Sequence, residues 1–397
     1  MTSGQESLMD TYARWPVTFV RGEGTALFDS DGRRYLDFLS GIAVTSLGHA
    51  HPAVADALCS QARTLLHVSN LFGTTVGPAV AATLDRLVGG GTAPAGGKVF
   101  FANSGAEANE CAIKLARRHG GPGRFTVLSA YGSFHGRTLA TLHATGQPAK
   151  HAPFQPLPEG FRHVPYDDLG AIADAIDPSV AAVLVEAIQG EGGVVTPEAG
   201  YLAAVREICD ERGVLMIVDE VQTGLGRTGA WFAFQHCGIL PDVVTVAKSL
   251  GNGVPIGACW ARREVAAAFQ PGDHATTFGG QPLAAAAAQA TLAVMEAEDV
   301  PARAVAAGGR LQGAVREIPG VTSVRGAGLL LGVVLAGPHA REVTAAALQR
   351  GLVVNAVAPD AVRLAPPLLV SDAEIDEGVA ILDAAVASVG GASGDTS

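Results

Sequence analysis

The sequence predicts an α/β protein built around a large, mostly parallel sheet. Three observations carry that expectation. Short apolar runs at 98–101, 125–129, 181–185, 214–218 and 242–246 alternate with helical stretches between about residues 75 and 270. Val, Ile and Leu dominate several of these runs, as strands buried on both faces require. The 397-residue chain is 48% hydrophobic and only 16% charged, which allows a sizeable core and argues against a disordered chain.

The flanking elements follow in order. Apolar runs at Ala26–Asp29 and Tyr35–Leu39 flank Ser30-Asp31-Gly32, a turn signal, so residues 18–40 read as a small antiparallel unit. Residues 52–67 read as a helix. After Ala290 the pattern changes. A long helix over roughly 282–316 leads to Val321–Arg325, Leu329–Leu335, a helix near 340–350 and Val353-Val354, which together read as a separate, smaller α/β unit. The terminal GGASGDTS is expected to be a flexible tail.

Composition narrows the function classes. The net charge is −11, with no Lys/Arg-rich run, which argues against nucleic acid as a partner. The five cysteines are scattered, with no CxxC spacing, as in reduced cytoplasmic proteins. The N-terminal stretch lacks a basic region followed by an apolar one, so no secretory signal is read there. The longest apolar stretches, such as the Ala-rich 283–293, are too short to span a membrane. A soluble, cytoplasmic protein is expected. His49 and His51 form an HxH pair, but no third ligand follows at a suitable spacing, so no metal is expected.

Three segments carry chemistry. In FFANSGAEANECAIKLARR (100–118) an apolar strand runs into a turn of small residues and then a helix, with Ser104 and Glu107 spaced as a capping box. Bare N–H groups at a helix N-terminus suit a phosphate, although an ordinary capped helix has the same pattern. In VLMIVDEVQTGLGRTG (214–229) a strand ends in Asp219, at the carboxyl end where ligands sit in open parallel sheets. A plain strand-end cap reads the same way. In PDVVTVAKSLGNGVPIGA (241–258) a buried strand closes on Lys248, which is costly unless the lysine is paired or reactive. A Schiff base removes that cost by converting the amine to an imine. The three together are more specific than any one.

The motifs NSGAEANE (103–110), FHGR (134–137), QGEGG (189–193), DEVQTGLGRTG (219–229), AKSLGNGVPIG (247–257) and HATTFGGQP (274–282) resemble those of class III (ω-amino group) aminotransferases of the fold-type-I pyridoxal-phosphate superfamily. The resemblance runs from about residue 14 to 385 and is nearest to the branch acting on N2-acetylornithine. It implies a sheet of the seven-stranded type in residues 61–290. It also implies a smaller domain drawn from both chain ends, 1–60 and 291–390, with 391–397 as the tail. The implied cofactor is pyridoxal 5′-phosphate.

The resemblance further implies a role for each matching residue. Ser104, Gly105 and Ala106 would hold the phosphate, and Phe134 would stack on the pyridine ring. Asp219 would bind the ring nitrogen, with Glu220 and Val221 beside it and Gln222 at the ring hydroxyl. Lys248 would carry the cofactor and act with Asp219 in catalysis. Thr277 would reach the phosphate of a partner subunit, so a homodimer with shared active sites is expected.

Substrate residues follow by the same route. Arg137 would clamp the α-carboxylate of the amine donor, with Thr276 as a further contact. Glu186 would shield Arg363 while the ω-amine reacts, then release it to hold the α-carboxylate of glutamate or 2-oxoglutarate. Many relatives have Pro after this Glu, where this chain has Ala187. Ile42-Ala43-Val44 resembles the acetylornithine enzymes, and an apolar pocket there suits an acylated amine.

Overall fold

A computed structural model describes residues 7–390. The expected tail, 391–397, lies outside the described residues. The central element is a seven-stranded sheet in the order 98–102, 257–261, 243–246, 215–219, 180–186, 126–130, 161–164. The strand Gly257–Ala261 is antiparallel to both neighbours, and the other registered pairs of this sheet are parallel. Every residue of Val180–Glu186 and Leu215–Asp219 is buried. That burial is why those strands read as continuous apolar runs. Each fully buried Val, Leu or Ile contributes about 1.5–3 kcal/mol.

All five runs predicted as sheet strands are present, within a residue or two at each end. Two strands of this sheet went unread. Phe161–Val164 is an edge strand whose sequence FRHV is half polar. Gly257–Ala261 reads GACWA, with no β-branched residue, and its partners on both sides make it a strand.

The predicted helix over 282–316 is two helices, Pro282–Ala297 and Val300–Arg316. Asp299 sits in the left-handed region at φ 44°, and Pro301 follows in the first turn of the second helix. A proline ring cannot continue the preceding helix, so the chain turns here.

Two four-stranded sheets flank the large one. One joins 19–23, 26–29 and 34–37 to the late strand Leu352–Val353, which pairs in parallel with Leu36 and Asp37. The other is antiparallel, in the order 321–327, 330–335, 361–364, 355–358. The strand Ala361–Leu364 carries Arg363. Among the described residues no helix is long and apolar enough to cross a membrane.

Candidate active site

Sheet register builds the floor of the site. Glu186 pairs with Asp219, and Asp219 with Thr245, so three adjacent strands set three polar residues in a row at their carboxyl ends. All three are buried. Ligands of open α/β sheets bind at such strand ends.

A cavity of about 380 Å³ opens over this row. Ser104, Gly105, Ala106, Phe134, Arg137, Glu186, Asp219, Val221, Gln222 and Lys248 all line it, from segments far apart in sequence. Of the other expected residues, Glu220, Thr276, Thr277 and Arg363 do not line it.

Ser104 caps the helix Gly105–Gly120, accepting from the Glu107 N–H at 3.2 Å. The expected capping box is displaced by one residue. The Glu107 carboxylate accepts from the Asn103 backbone N–H (2.8 Å) and side chain (2.7 Å) instead of returning to Ser104. Gly105 and Ala106, in the first turn, have no helical carbonyl partner for their N–H groups. A Cβ on Gly105 would come within 2.8 Å of the Val221 side chain, so glycine leaves this end of the helix bare.

Asp219 is locked by neighbours that sequence reasoning missed. Its Oδ2 accepts from Asn109 (2.7 Å) and meets His135 Nδ1 (2.8 Å), and its Oδ1 accepts from the Val221 N–H at 3.0 Å. Asn109 accepts in turn from the Thr245 hydroxyl at 2.7 Å. Asn109 is one helical turn past Gly105 and inside NSGAEANE, and that spacing was the available signal. His135 stands in FHGR, but nothing local marks it as a partner of Asp219.

Lys248 opens a short turn just after the strand Val243–Val246, with a left-handed φ of 43°. Such strain in a non-glycine residue is held only by its surroundings. Loss of hydration, and then the nearby Arg363 charge, push the Lys248 ammonium down to about 8. Glu191, Asp219 and Glu186 act in the opposite direction. Burial raises the Glu186 carboxyl to about 7.

The structure corrects the expected Glu186–Arg363 pair. Arg363 Nη1 bonds Glu191 Oε1 at 2.5 Å and Gln222 Oε1 at 3.1 Å. Glu186 accepts from the Phe134 N–H at 3.0 Å. The carboxylate covering Arg363 is therefore that of QGEGG, five residues later. Among the described residues Arg363 Nη2 is buried without a hydrogen-bond partner, so the guanidinium keeps a free donor.

Glu220 is also corrected. Its carboxylate turns away to Thr223 Oγ1 (2.5 Å) and the Phe234 N–H (2.9 Å), as alternation along an extended segment requires after an inward Asp219. Of Ile42-Ala43-Val44, only Val44 reaches the cavity, while Ala43 packs into the core. Positive φ at Ser40, Ile42 and Ala43 twists this segment, so its side chains do not project together. His49 is held by Asp37 at 2.7 Å.

Thr276 and Thr277 stand apart from Lys248. They line a second cavity with His67, Leu71, Phe72 and Gly280. Asn103 links the two places. It lines the first cavity and donates to Thr276 Oγ1 at 3.3 Å.

A helix N-terminus, a buried carboxylate with fixed orientation and a strand-end lysine, all in one cavity of a mostly parallel sheet, define the site of a pyridoxal-phosphate-dependent transferase. The chain belongs to the class-III aminotransferase family, whose sequence profile matches residues 9–386. It is 50% identical over 382 residues to an acetylornithine aminotransferase of Mycobacterium tuberculosis, covering 96% of this chain and 94% of that one. It resembles the crystal structure of N-acetylornithine aminotransferase from Stenotrophomonas maltophilia with TM-score 0.82 and 35% identity, over 96% of this chain and 98% of that one. Ornithine aminotransferase from Toxoplasma gondii superposes with TM-score 0.91 at 34% identity, over 97% and 94%.

The family's cofactor is pyridoxal 5′-phosphate, and the residues present fit it. The bare helix N-terminus suits the phosphate. Asp219 is held in place and accepts on both oxygens, as a partner for a cationic ring nitrogen should be. Lys248 is the amine just after the strand that carries Thr245, at one end of the same polar row.

Proposed function

We propose that the protein moves the δ-amino group of N2-acetyl-L-ornithine to 2-oxoglutarate. The products are N-acetyl-L-glutamate 5-semialdehyde and L-glutamate, in the transamination of arginine biosynthesis. The observation that carries this reading is a pair of differently kept guanidiniums. Arg363 is fully buried and covered by Glu191, whereas Arg137 lies exposed at the cavity wall with no ion pair among the described residues. A donor with one carboxylate needs one free arginine. A dicarboxylate acceptor needs both. The names carried by the Mycobacterium and Stenotrophomonas relatives support the acetylated substrate.

Pyridoxal phosphate supplies an aldehyde that takes the amine and a cationic ring that absorbs the electrons left when the adjacent carbon loses its proton. The Ser104–Ala106 turn would hold the phosphate, with Phe134 and Val221 lining the ring's place. Asp219, oriented by Asn109 and His135, would face the ring nitrogen and stabilise its cationic form. Lys248 would take the proton from the δ-carbon of the donor and deliver it to the carbon on the cofactor side of the transferred nitrogen. An amine tuned to about 8 can do both near neutral pH. Arg137 binds the α-carboxylate of the donor bidentately. Glu191 keeps Arg363 occupied until 2-oxoglutarate brings an α-carboxylate of its own, and then gives way.

Residues 61–290 form the cofactor-holding domain in this reading. Residues 1–60 and 291–390 form the smaller one, a division supported by the pairing of 34–37 with 352–353. The active unit is a homodimer in the cytoplasm. Thr277 of each subunit would reach the phosphate of the other, which its exposure and its place in a different cavity from Lys248 support.

A half-reaction panel tests the assignment. The long-wavelength absorbance of the loaded protein should bleach fastest with N-acetylornithine, ahead of ornithine, succinylornithine and 4-aminobutyrate. Lys248→Ala should lack that absorbance and turn nothing over. Faster bleaching with free ornithine would refute the substrate, and a fully active Lys248→Ala would refute the site.

A further inference from the structure

Asp219 is braced by a residue that does not itself line the cavity. Asn109 does line it, and its amide nitrogen donates twice, to Asp219 Oδ2 at 2.7 Å and to the His135 carbonyl at 2.8 Å. Both partners are acceptors, so they fix which end of the amide is nitrogen. The amide oxygen is left to the Thr245 hydroxyl, which donates to it at 2.7 Å. No other donor meets that oxygen among the described residues.

Packing alone does not ask for a hydroxyl at this place. Thr245 is fully buried in the strand Val243–Val246, whose other three residues are valine. A buried hydroxyl costs stability unless it is hydrogen-bonded. Asn109 is buried as well, so bulk water cannot stand in for the missing donor. Thr245, Asn109 and Asp219 form a chain in which each hydrogen bond polarises the next. The same amide ties down His135, whose Nδ1 meets Asp219 Oδ2 at 2.8 Å. Of the three groups that hold Asp219, only the Val221 N–H is independent of this amide.

We propose that Thr245 is a positioning residue for the carboxylate that faces the cofactor's ring nitrogen. Its hydroxyl holds the Asn109 amide, and through it Asp219 and His135, in the orientation that supports a cationic ring. Without the hydroxyl, Asn109 Oδ1 is buried without a donor, and the amide gains by turning toward another one and away from Asp219. The proposal rests on the reading of Asp219 given above.

Thr245→Val removes the hydroxyl and stays β-branched, as a strand prefers. Thr245→Ser keeps the hydroxyl. The first readout is the ring-nitrogen resonance of isotope-labelled pyridoxal phosphate on the protein. In Thr245→Val it should move toward the value of a neutral ring, and in Thr245→Ser it should stay at the wild-type value. The second readout is the half-reaction with N-acetylornithine. In Thr245→Val its rate constant should fall roughly tenfold, the scale of one weakened charge-assisted hydrogen bond. The half-saturating concentration should stay within about twofold, because the change lies at the ring and not at the substrate carboxylate. Asn109→Ala should move the resonance the same way, and adding Thr245→Val to it should change nothing further. An unmoved resonance in Thr245→Val beside a moved one in Asp219→Asn would overturn the role of Thr245 alone. An unmoved resonance in both would overturn the reading of Asp219 and this proposal with it. An equal loss in Thr245→Ser, or a full effect of Thr245→Val on top of Asn109→Ala, would make Thr245 merely part of the core.

Discussion

At the scale of single residues, the site depends on groups held away from their ordinary protonation. Glu186 shows this most directly. Burial raises its carboxyl from 4.5 to about 7. The folded chain therefore binds a proton there more tightly than the unfolded chain between about pH 4.5 and 7. Stability falls as pH rises through that window, and the full cost is present above it. Glu186→Gln removes the charge while keeping an oxygen for the Phe134 N–H. Without cofactor, the variant should melt near the wild type at about pH 5 and above it at about pH 8. The gain should be on the order of a few kcal/mol. Thermal melts across that range check it, and a variant less stable at the higher pH would refute the assignment.

At the scale of elements, close backbone approach decides what the helices tolerate. In the helix Val300–Arg316 a Cβ on Gly308 would meet the Gly328 carbonyl oxygen at 2.1 Å, whereas a Cβ on Gly309 would meet nothing within 4 Å. Gly308 is buried against the turn between strands 321–327 and 330–335, and its neighbour is exposed. Adjacent glycines should therefore respond with opposite sign. Gly308→Ala should lose about 1–3 kcal/mol through overpacking. Gly309→Ala should gain about 0.5–1 kcal/mol by helix propensity. Chemical denaturation of the two variants measures both. The same reasoning explains why the strand Gly257–Ala261 escaped a reading based on apolar β-branched runs. It is a strand because of its two neighbours.

At the scale of the whole molecule, the surface around Thr277 is unusually apolar. Leu71, Phe72 and Phe278 are 88%, 68% and 65% exposed, beside a cavity of about 850 Å³. Exposed apolar residues gathered in one place mark interaction surfaces. Under the proposed dimer they are covered by the second subunit. Phe72→Asp combined with Phe278→Asp should shift the protein from dimer to monomer in sedimentation. The same variant should weaken cofactor binding at least tenfold, because each phosphate loses its partner's Thr277. A monomeric wild type would refute the shared site.

The sequence by itself determined the mostly parallel sheet, the capped helix start at Ser104–Ala106, and the strand-end positions of Asp219 and Lys248. These are local properties: runs of β-branched residues, capping chemistry, and a charge at the end of a buried strand. Tertiary structure decided the rest, because it depends on residues far apart in the chain. Glu191, not Glu186, covers Arg363, since the turn after the strand Val180–Glu186 carries QGEGG across to the late strand Ala361–Leu364. Asn109, His135 and Thr245 meet at Asp219 only because a helix, a loop and a neighbouring strand converge there. Sequence motifs placed the reactive groups, and the packing of distant segments chose which charges stand beside them.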